Sequence, residues 1–135
     1  MMIVNGAPAA GVQVWSQTVP VVQNTLYYFS AYVASSYPSN PAVLDFSINS
    51  ALLGSTLFAS ATPGQWDLFY ATWNSGSNTS AALALVNQNI VRDGNDFCLD
   101  TIKMDTVSPA PLPSSLLLLA SSLGSLGLLR FWKKS

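Results

Sequence analysis

Hydrophobic and polar residues alternate along most of the first hundred positions, the pattern of β-strands that bury one face. The cleanest example is residues 42–49, where Leu44, Phe46 and Ile48 fall on one side of the predicted strand. We assign that side to the core. No segment before position 114 shows a helical period, so the pattern predicts an all-β domain.

Clusters of Gly, Pro, Asn and Ser separate the predicted strands, as turns do. Seven or eight short strands are predicted, over residues 2–5, 11–19, 24–35, 42–49, 65–73, 80–86 and 96–104, with short hydrophobic pieces at 51–53 and 55–59 between the fourth and fifth of these. In residues 24–35, Phe29 lies on the predicted core face, and Tyr28 and Tyr32 lie on the opposite face. The step of three from Leu99 to Ile102 predicts a β-bulge around residues 100–101.

Short strands in this arrangement favour an antiparallel β-sandwich over residues 1–106. Residues 107–113 are rich in proline, which stiffens a linker and prevents a helix from starting early.

The pattern changes completely at residues 114–132, which are dominated by Leu, Gly and Ser. Nineteen residues form a helix of roughly 28 Å, close to the ~30 Å thickness of a bilayer's hydrocarbon. The basic residues that follow the apolar run are Arg130, Lys133 and Lys134. By the positive-inside rule, they predict a single C-terminal transmembrane helix with residues 133–135 in the cytoplasm and the β-domain outside it.

The same tail resembles the PEP-CTERM sorting signal of Gram-negative bacteria, which has a proline motif, a hydrophobic span and a terminal basic cluster. The residues that carry this resemblance at the proline motif are Pro111, Leu112 and Pro113, with Leu112 where the family usually has glutamate. The resemblance implies an exported protein held in the inner membrane as a precursor. An exosortase-type protease would cut it near the prolines and release it to the cell surface. A plain membrane anchor is the alternative.

Residues 1–104 resemble the galactose-binding-like jelly roll. The resemblance is carried by residues 14–19, 24–30 and 73–77, and most specifically by Gly94-Asn95-Asp96-Phe97-x-Leu99-Asp100-x-Ile102. The family usually has a strand pair before the position of Met1 and a second aspartate at the position of Thr101. We therefore expect a domain truncated at its N-terminus, and the absence of a signal peptide at Met1 fits a chain that begins inside a longer reading frame.

Composition excludes several classes of function. The chain has no histidine and one cysteine, which removes the commonest general base, any intrachain disulfide and a cysteine-rich zinc site. The β-domain carries two basic residues against six aspartates, a balance that argues against binding nucleic acid. We expect a protein that is not an enzyme.

Two sets of residues are candidates for a binding site. Asp96 and Asp100 supply hard oxygen ligands near Gly94, and related jelly rolls hold a structural Ca²⁺ on this last strand. The alternative is that both aspartates cap backbone N–H groups at the loop and the bulge. As a catalytic pair they would lie ~13 Å apart on an extended strand, too far for joint catalysis.

Tyr28 and Tyr32 are the second candidate set, because exposed aromatic rings can stack on the C–H faces of sugars. We therefore predict a surface-directed carbohydrate-binding or adhesion module whose partners are the inner membrane, the protease and a polysaccharide of the biofilm matrix. The alternatives are a structural matrix protein with no specific ligand, or a non-functional gene fragment.

Overall fold

The computed structural model describes residues 1–108. Nine β-strands lie in this part of the chain. They are β1 (Met2–Val4), β2 (Val12–Pro20), β3 (Leu26–Ser35), β4 (Val43–Ile48), β5 (Ala51–Leu52), β6 (Leu57–Phe58), β7 (Asp67–Asn74), β8 (Ser80–Asn87) and β9 (Phe97–Asp105).

The strands form two sheets. The first has the order β1-β9-β3-β7, and the second has the order β2-β8-β4-β5 with β6 also paired to β4. Every pairing is antiparallel. The predicted antiparallel β-sandwich is confirmed.

The predicted features of the tail lie outside the described residues. They are the sorting motif Pro111, Leu112 and Pro113, the span 114–132, and the basic residues Arg130, Lys133 and Lys134. Within residues 1–108, no helix is long and apolar enough to cross a membrane.

A cluster of three phenylalanines joins the two sheets at the centre of the core. Phe46 on β4 stacks on Phe69 of β7 with ring centroids 4.1 Å apart, and Phe29 on β3 lies 5.4 Å from Phe46. Leu44 and Ile48 are buried with them, so the core face predicted for residues 42–49 is confirmed.

The predicted bulge is also present. Between β3 and β9 the register shifts between Ser30 and Tyr32, and Thr101 has a φ of 48°. A β-branched residue seldom adopts this left-handed conformation, which marks Thr101 as a strained position. The bulge lets Leu99 and Ile102 both face the core while Asp100 stays on the outer face opposite Tyr32.

Truncation of the central ring of the core tests this architecture. We expect Phe46→Ala to lower the free energy of unfolding by about 3–5 kcal/mol, because it removes a buried ring and leaves a cavity. Urea unfolding followed by tryptophan fluorescence measures the change. Phe58→Ala is the control, since Phe58 is 73% exposed and its loss should cost less than about 0.5 kcal/mol. Similar losses in the two variants would contradict this description of the core.

Candidate functional site

A cleft of about 750 Å³ opens at one end of the sandwich, where three loops meet. The loops connect β1 to β2, β3 to β4 and β8 to β9. Its lining includes the polar and aromatic side chains Asn5, Tyr37, Asn40, Arg92, Asp93 and Asp96. We call it the loop cleft. Its volume lies within the ~300–1,000 Å³ typical of sites for small ligands.

Two fully buried asparagines fix the first loop. Asn95 Nδ2 donates a hydrogen bond of 2.8 Å to the carbonyl oxygen of Ala7. Asn87 Nδ2 donates to the same oxygen at 3.1 Å and to the carbonyl of Ala9 at 2.9 Å. Buried backbone carbonyls need hydrogen-bond donors, and these two amides supply the donors that a neighbouring strand would otherwise supply.

Gly6 lies directly against one of these asparagines, Asn95. Its N–H donates to Asp96 Oδ1 at 2.9 Å. A Cβ added to Gly6 would collide with Oδ1 and Cγ of Asn95. Only glycine fits here without displacing the buried amide, because the backbone passes so close to the side chain.

The other two loops are tied to each other. Asn89 Nδ2 donates to the carbonyls of Asn40 and Pro41 at 3.0 and 2.9 Å. In return, Asn40 Nδ2 donates to the carbonyl of Asp93 at 2.9 Å. The walls of the loop cleft are therefore held by side-chain hydrogen bonds between segments that are distant in sequence.

The rim of the cleft carries groups that no neighbour engages. Tyr37 is 57% exposed. Within residues 1–108, Arg92 forms no ion pair, and neither its guanidinium nor the Asp93 carboxylate has a hydrogen-bond partner. A flat ring, a fixed fork of donors and a carboxylate acceptor thus lie together and open to a ligand.

The predicted ligand residues Tyr28 and Tyr32 lie on the outer face of the first sheet. Tyr28 stacks on Tyr70 of β7 with ring centroids 6.3 Å apart. Tyr32 lines a depression of about 280 Å³ with Trp66 and the two bulge residues Asp100 and Thr101. We call this surface, formed by Tyr28, Tyr32, Trp66, Leu68 and Tyr70, the aromatic face.

The two aspartates of the predicted calcium site line different cavities. Asp96 borders the loop cleft, and Asp100 borders the depression at Tyr32. Asp100 Oδ1 accepts the Thr101 N–H at 2.8 Å and lies 3.3 Å from the amino group of Met1. The Thr101 bond and then the amino group lower the pKa of Asp100 below its usual value.

The positions of Asp96 and Asp100 show whether both carboxylates could bind the same ion. Both carboxylates make the backbone bonds that the alternative predicts. In residues 1–108 no group of three or more His, Cys, Asp or Glu side chains converges on one point. The structure therefore does not bring Asp96 and Asp100 together as ligands of one Ca²⁺, and calcium binding by this chain stays a prediction.

A third concavity, of about 530 Å³, lies on the outer face of the second sheet. Asp45 is held there by Thr56 Oγ1 at 2.6 Å and by Gln88 Nε2 at 2.7 Å. No aromatic side chain lines this groove. It lacks the stacking platform that the loop cleft and the aromatic face have.

Sequence reasoning missed the loop cleft. Residues 87–94 have the composition of an ordinary polar loop, and Arg92 was counted only in the charge balance of the β-domain. The one local signal is the density of asparagine, with Asn87, Asn89 and Asn95 in nine positions. Asparagines that pair with backbone from other loops look the same in sequence as asparagines in solvated turns.

Comparison with known proteins finds similarity in fold but not in sequence family. No protein-family model and no curated protein matches it. Among solved structures it is similar to the C-terminal domain of EclA, a sugar-binding protein, with a TM-score of 0.63 and 17% identity over 71% of this chain and 68% of that one. It is also similar to the CBM22-1 xylan-binding domain of Paenibacillus barcinonensis Xyn10C, with a TM-score of 0.50, 18% identity and coverage of 69% and 65%. At these identities the likeness is one of fold.

The contact between Gly6 and Asn95 can be tested with a double-mutant cycle. We expect Gly6→Ala to lower the free energy of unfolding by roughly 1–3 kcal/mol, because the new methyl displaces a packed amide. In an Asn95→Ala background the same change should cost less but not nothing, because the collision with the side chain of Asn95 is removed while the backbone carbonyl oxygen of residue 95 still lies 2.5 Å from the new Cβ. Urea unfolding of the four proteins measures the coupling.

The matched control for this cycle is Gly11→Ala. Gly11 has a φ of 79°, and nothing lies within 4 Å of a Cβ added there. Its cost, about 1–2 kcal/mol of backbone strain, should be the same with and without Asn95. Additive costs at Gly6 would show that the collision with Asn95 does not limit this position.

Proposed function

We propose that the β-domain is a non-catalytic carbohydrate-binding module whose ligand occupies the loop cleft. The observation that carries this proposal is an exposed ring, Tyr37, beside the unengaged side chains of Arg92 and Asp93 on loops that are already fixed. The fold similarity to sugar-binding and xylan-binding domains supports it.

The chemistry of the rim suits a sugar. A pyranose ring presents C–H groups on its faces and hydroxyls on its edge, so it can stack on Tyr37 while its edge faces Arg92 and Asp93. The guanidinium only donates and the carboxylate only accepts, and a hydroxyl can do both. A pair of neighbouring hydroxyls therefore satisfies both side chains.

The tethered loops favour binding further. Ordering a loop costs free energy that is subtracted from the affinity. Here Asn87, Asn89 and Asn95 order the walls before any ligand arrives. The net negative charge of the β-domain favours a neutral glycan over an acidic one.

We propose that the tail presents this module at the cell surface. Residues 114–132 would hold the precursor in the inner membrane, and an exosortase-type protease would act near Pro111 and Pro113. A structural matrix protein without a ligand is the second candidate, and it is distinguished by the absence of any glycan-dependent stabilisation.

Replacement of the stacking ring tests the cleft. We expect Tyr37→Ala to weaken binding of the recognised glycan about fivefold, since a stacked ring contributes on the order of 1 kcal/mol. Affinity electrophoresis on soluble xylan, galactan and glucan identifies the glycan, and calorimetry measures the change. Tyr37→Phe should retain most of the affinity.

Phe58→Ala is the control for the loss of an exposed ring, because Phe58 is exposed and does not line the loop cleft. The wild type should also show a higher melting temperature with the glycan it binds. No stabilisation by any glycan would reject the binding-module proposal in favour of the structural one.

Deletion of residues 114–132 tests the anchor. We expect the intact chain to sediment with bacterial membranes and to resist carbonate washing, because an apolar helix of this length is stable only in the bilayer. The shortened chain should move to the soluble fraction. As a matched control, Arg130, Lys133 and Lys134 all changed to Gln should leave the chain in the membrane and alter only its orientation. Membrane association that persists after the deletion would contradict the proposal.

A further inference from the structure

We infer that the depression between Tyr32 and Trp66 on the aromatic face is a second saccharide-binding site, separate from the loop cleft. The inference rests on the proposed function, because it extends the same ligand class to a second surface. The β-domain would then hold two glycan chains, or two parts of one chain, at the same time.

The depression is built by the bulge. Thr101, at a φ of 48°, lines it together with Asp100, Tyr32 and Trp66. Bulges re-aim side chains and are common beside functional sites, where backbone strain is retained for a purpose other than stability. A glycine at this position would adopt the same conformation without strain, yet the chain carries a threonine, and this residue lines the cavity.

The polar atoms around the depression are open to a ligand. Among residues 1–108, the hydroxyls of Tyr28, Tyr32 and Tyr70 and the indole N–H of Trp66 have no hydrogen-bond partner. Asp100 uses Oδ1 for Thr101 and the amino group of Met1, which leaves Oδ2 unengaged. Aromatic rings and unpaired hydrogen-bonding groups therefore lie next to one another on the aromatic face.

This alternation identifies the occupant as a neutral polysaccharide chain. A protein partner with an apolar surface would bury the phenol hydroxyls and the Asp100 carboxylate without pairing them, which is costly. On this sheet face the amino group of Met1 is already paired with Asp100 and Lys103 with Asp105, so neither cation is left free to pair with an acidic glycan. A neutral glycan offers C–H faces to Tyr32 and Trp66 and hydroxyls to the groups between them.

The two sites are distinct in space. Asp96 borders the loop cleft and Asp100 borders the depression, and the step of four positions from Asp96 to Asp100 spans ~13 Å along extended backbone. The aromatic face continues away from the cleft along β3, from Tyr32 to Tyr28. A short oligosaccharide in one site therefore leaves the other accessible.

Calorimetry with short xylo-, cello- and galacto-oligosaccharides tests the inference on the full chain. The chain is kept in a zwitterionic detergent, because the head group of an alkyl glycoside would compete. We expect the wild type to bind two oligosaccharides per chain. Trp66→Ala and Tyr37→Ala should each weaken one of the two binding events several-fold and leave the other unchanged. Phe58→Ala, which removes an exposed ring of the second sheet, should bind two.

Thr101→Gly provides a variant that is not expected to unfold the chain. Relief of the left-handed strain should raise the melting temperature, while loss of the hydroxyl should weaken binding at the depression several-fold. A purely structural role for Thr101 predicts no change in binding.

The outcomes separate this inference from the proposed function. A single binding event that Tyr37→Ala weakens and Trp66→Ala leaves unchanged overturns the second site and keeps the first. A single event that only Trp66→Ala weakens supports the site described here and overturns the assignment to the loop cleft. No binding by the wild type overturns both.

Discussion

The loop end of this protein depends on two buried amides, those of Asn87 and Asn95. Both donate to the carbonyl of Ala7, and Asn95 also packs against Gly6 so closely that no side chain fits there. The loop of residues 5–11 consists of small residues, Gly, Ala and Pro with one Asn, which have little side chain to pack against the core. Its position is therefore set by hydrogen bonds from Asn87 and Asn95 to its backbone. The shape of the loop cleft follows from this constraint.

The core and the two candidate surfaces are linked by the period of two along each strand. Phe29 and Phe69 must face inward to meet Phe46, which requires their neighbours Tyr28 and Tyr70 to face outward. The aromatic face is therefore partly a consequence of the packing. Packing does not require the left-handed residue of the bulge to be a threonine. The bulge at Thr101 is therefore the part of the aromatic face that supports the proposed ligand site.

Local patterns predict this fold well because alternation, turn residues and the step between Leu99 and Ile102 are all visible within a few positions. They also place Tyr28 and Tyr32 outside the core. The loop cleft depends instead on contacts such as that of Gly6 with Asp96, which are 90 positions apart. Nothing in a short window reports such a pairing, so the sequence pointed to Asp96 and Asp100 as one cluster, and the structure places them at two cavities.

Low charge and two sites together suggest how such a module would act on a matrix. A rim that offers one guanidinium, one carboxylate and one ring supports only modest affinity for a single sugar, since each hydrogen bond replaces one made to water. A second site on the same rigid domain makes the second binding event intramolecular whenever both engage one polymer. Retention on a polysaccharide then comes from the number of contacts along the chain. If both proposed sites bind glycan, such a domain would hold a neutral polymer firmly without a deep or strongly charged pocket.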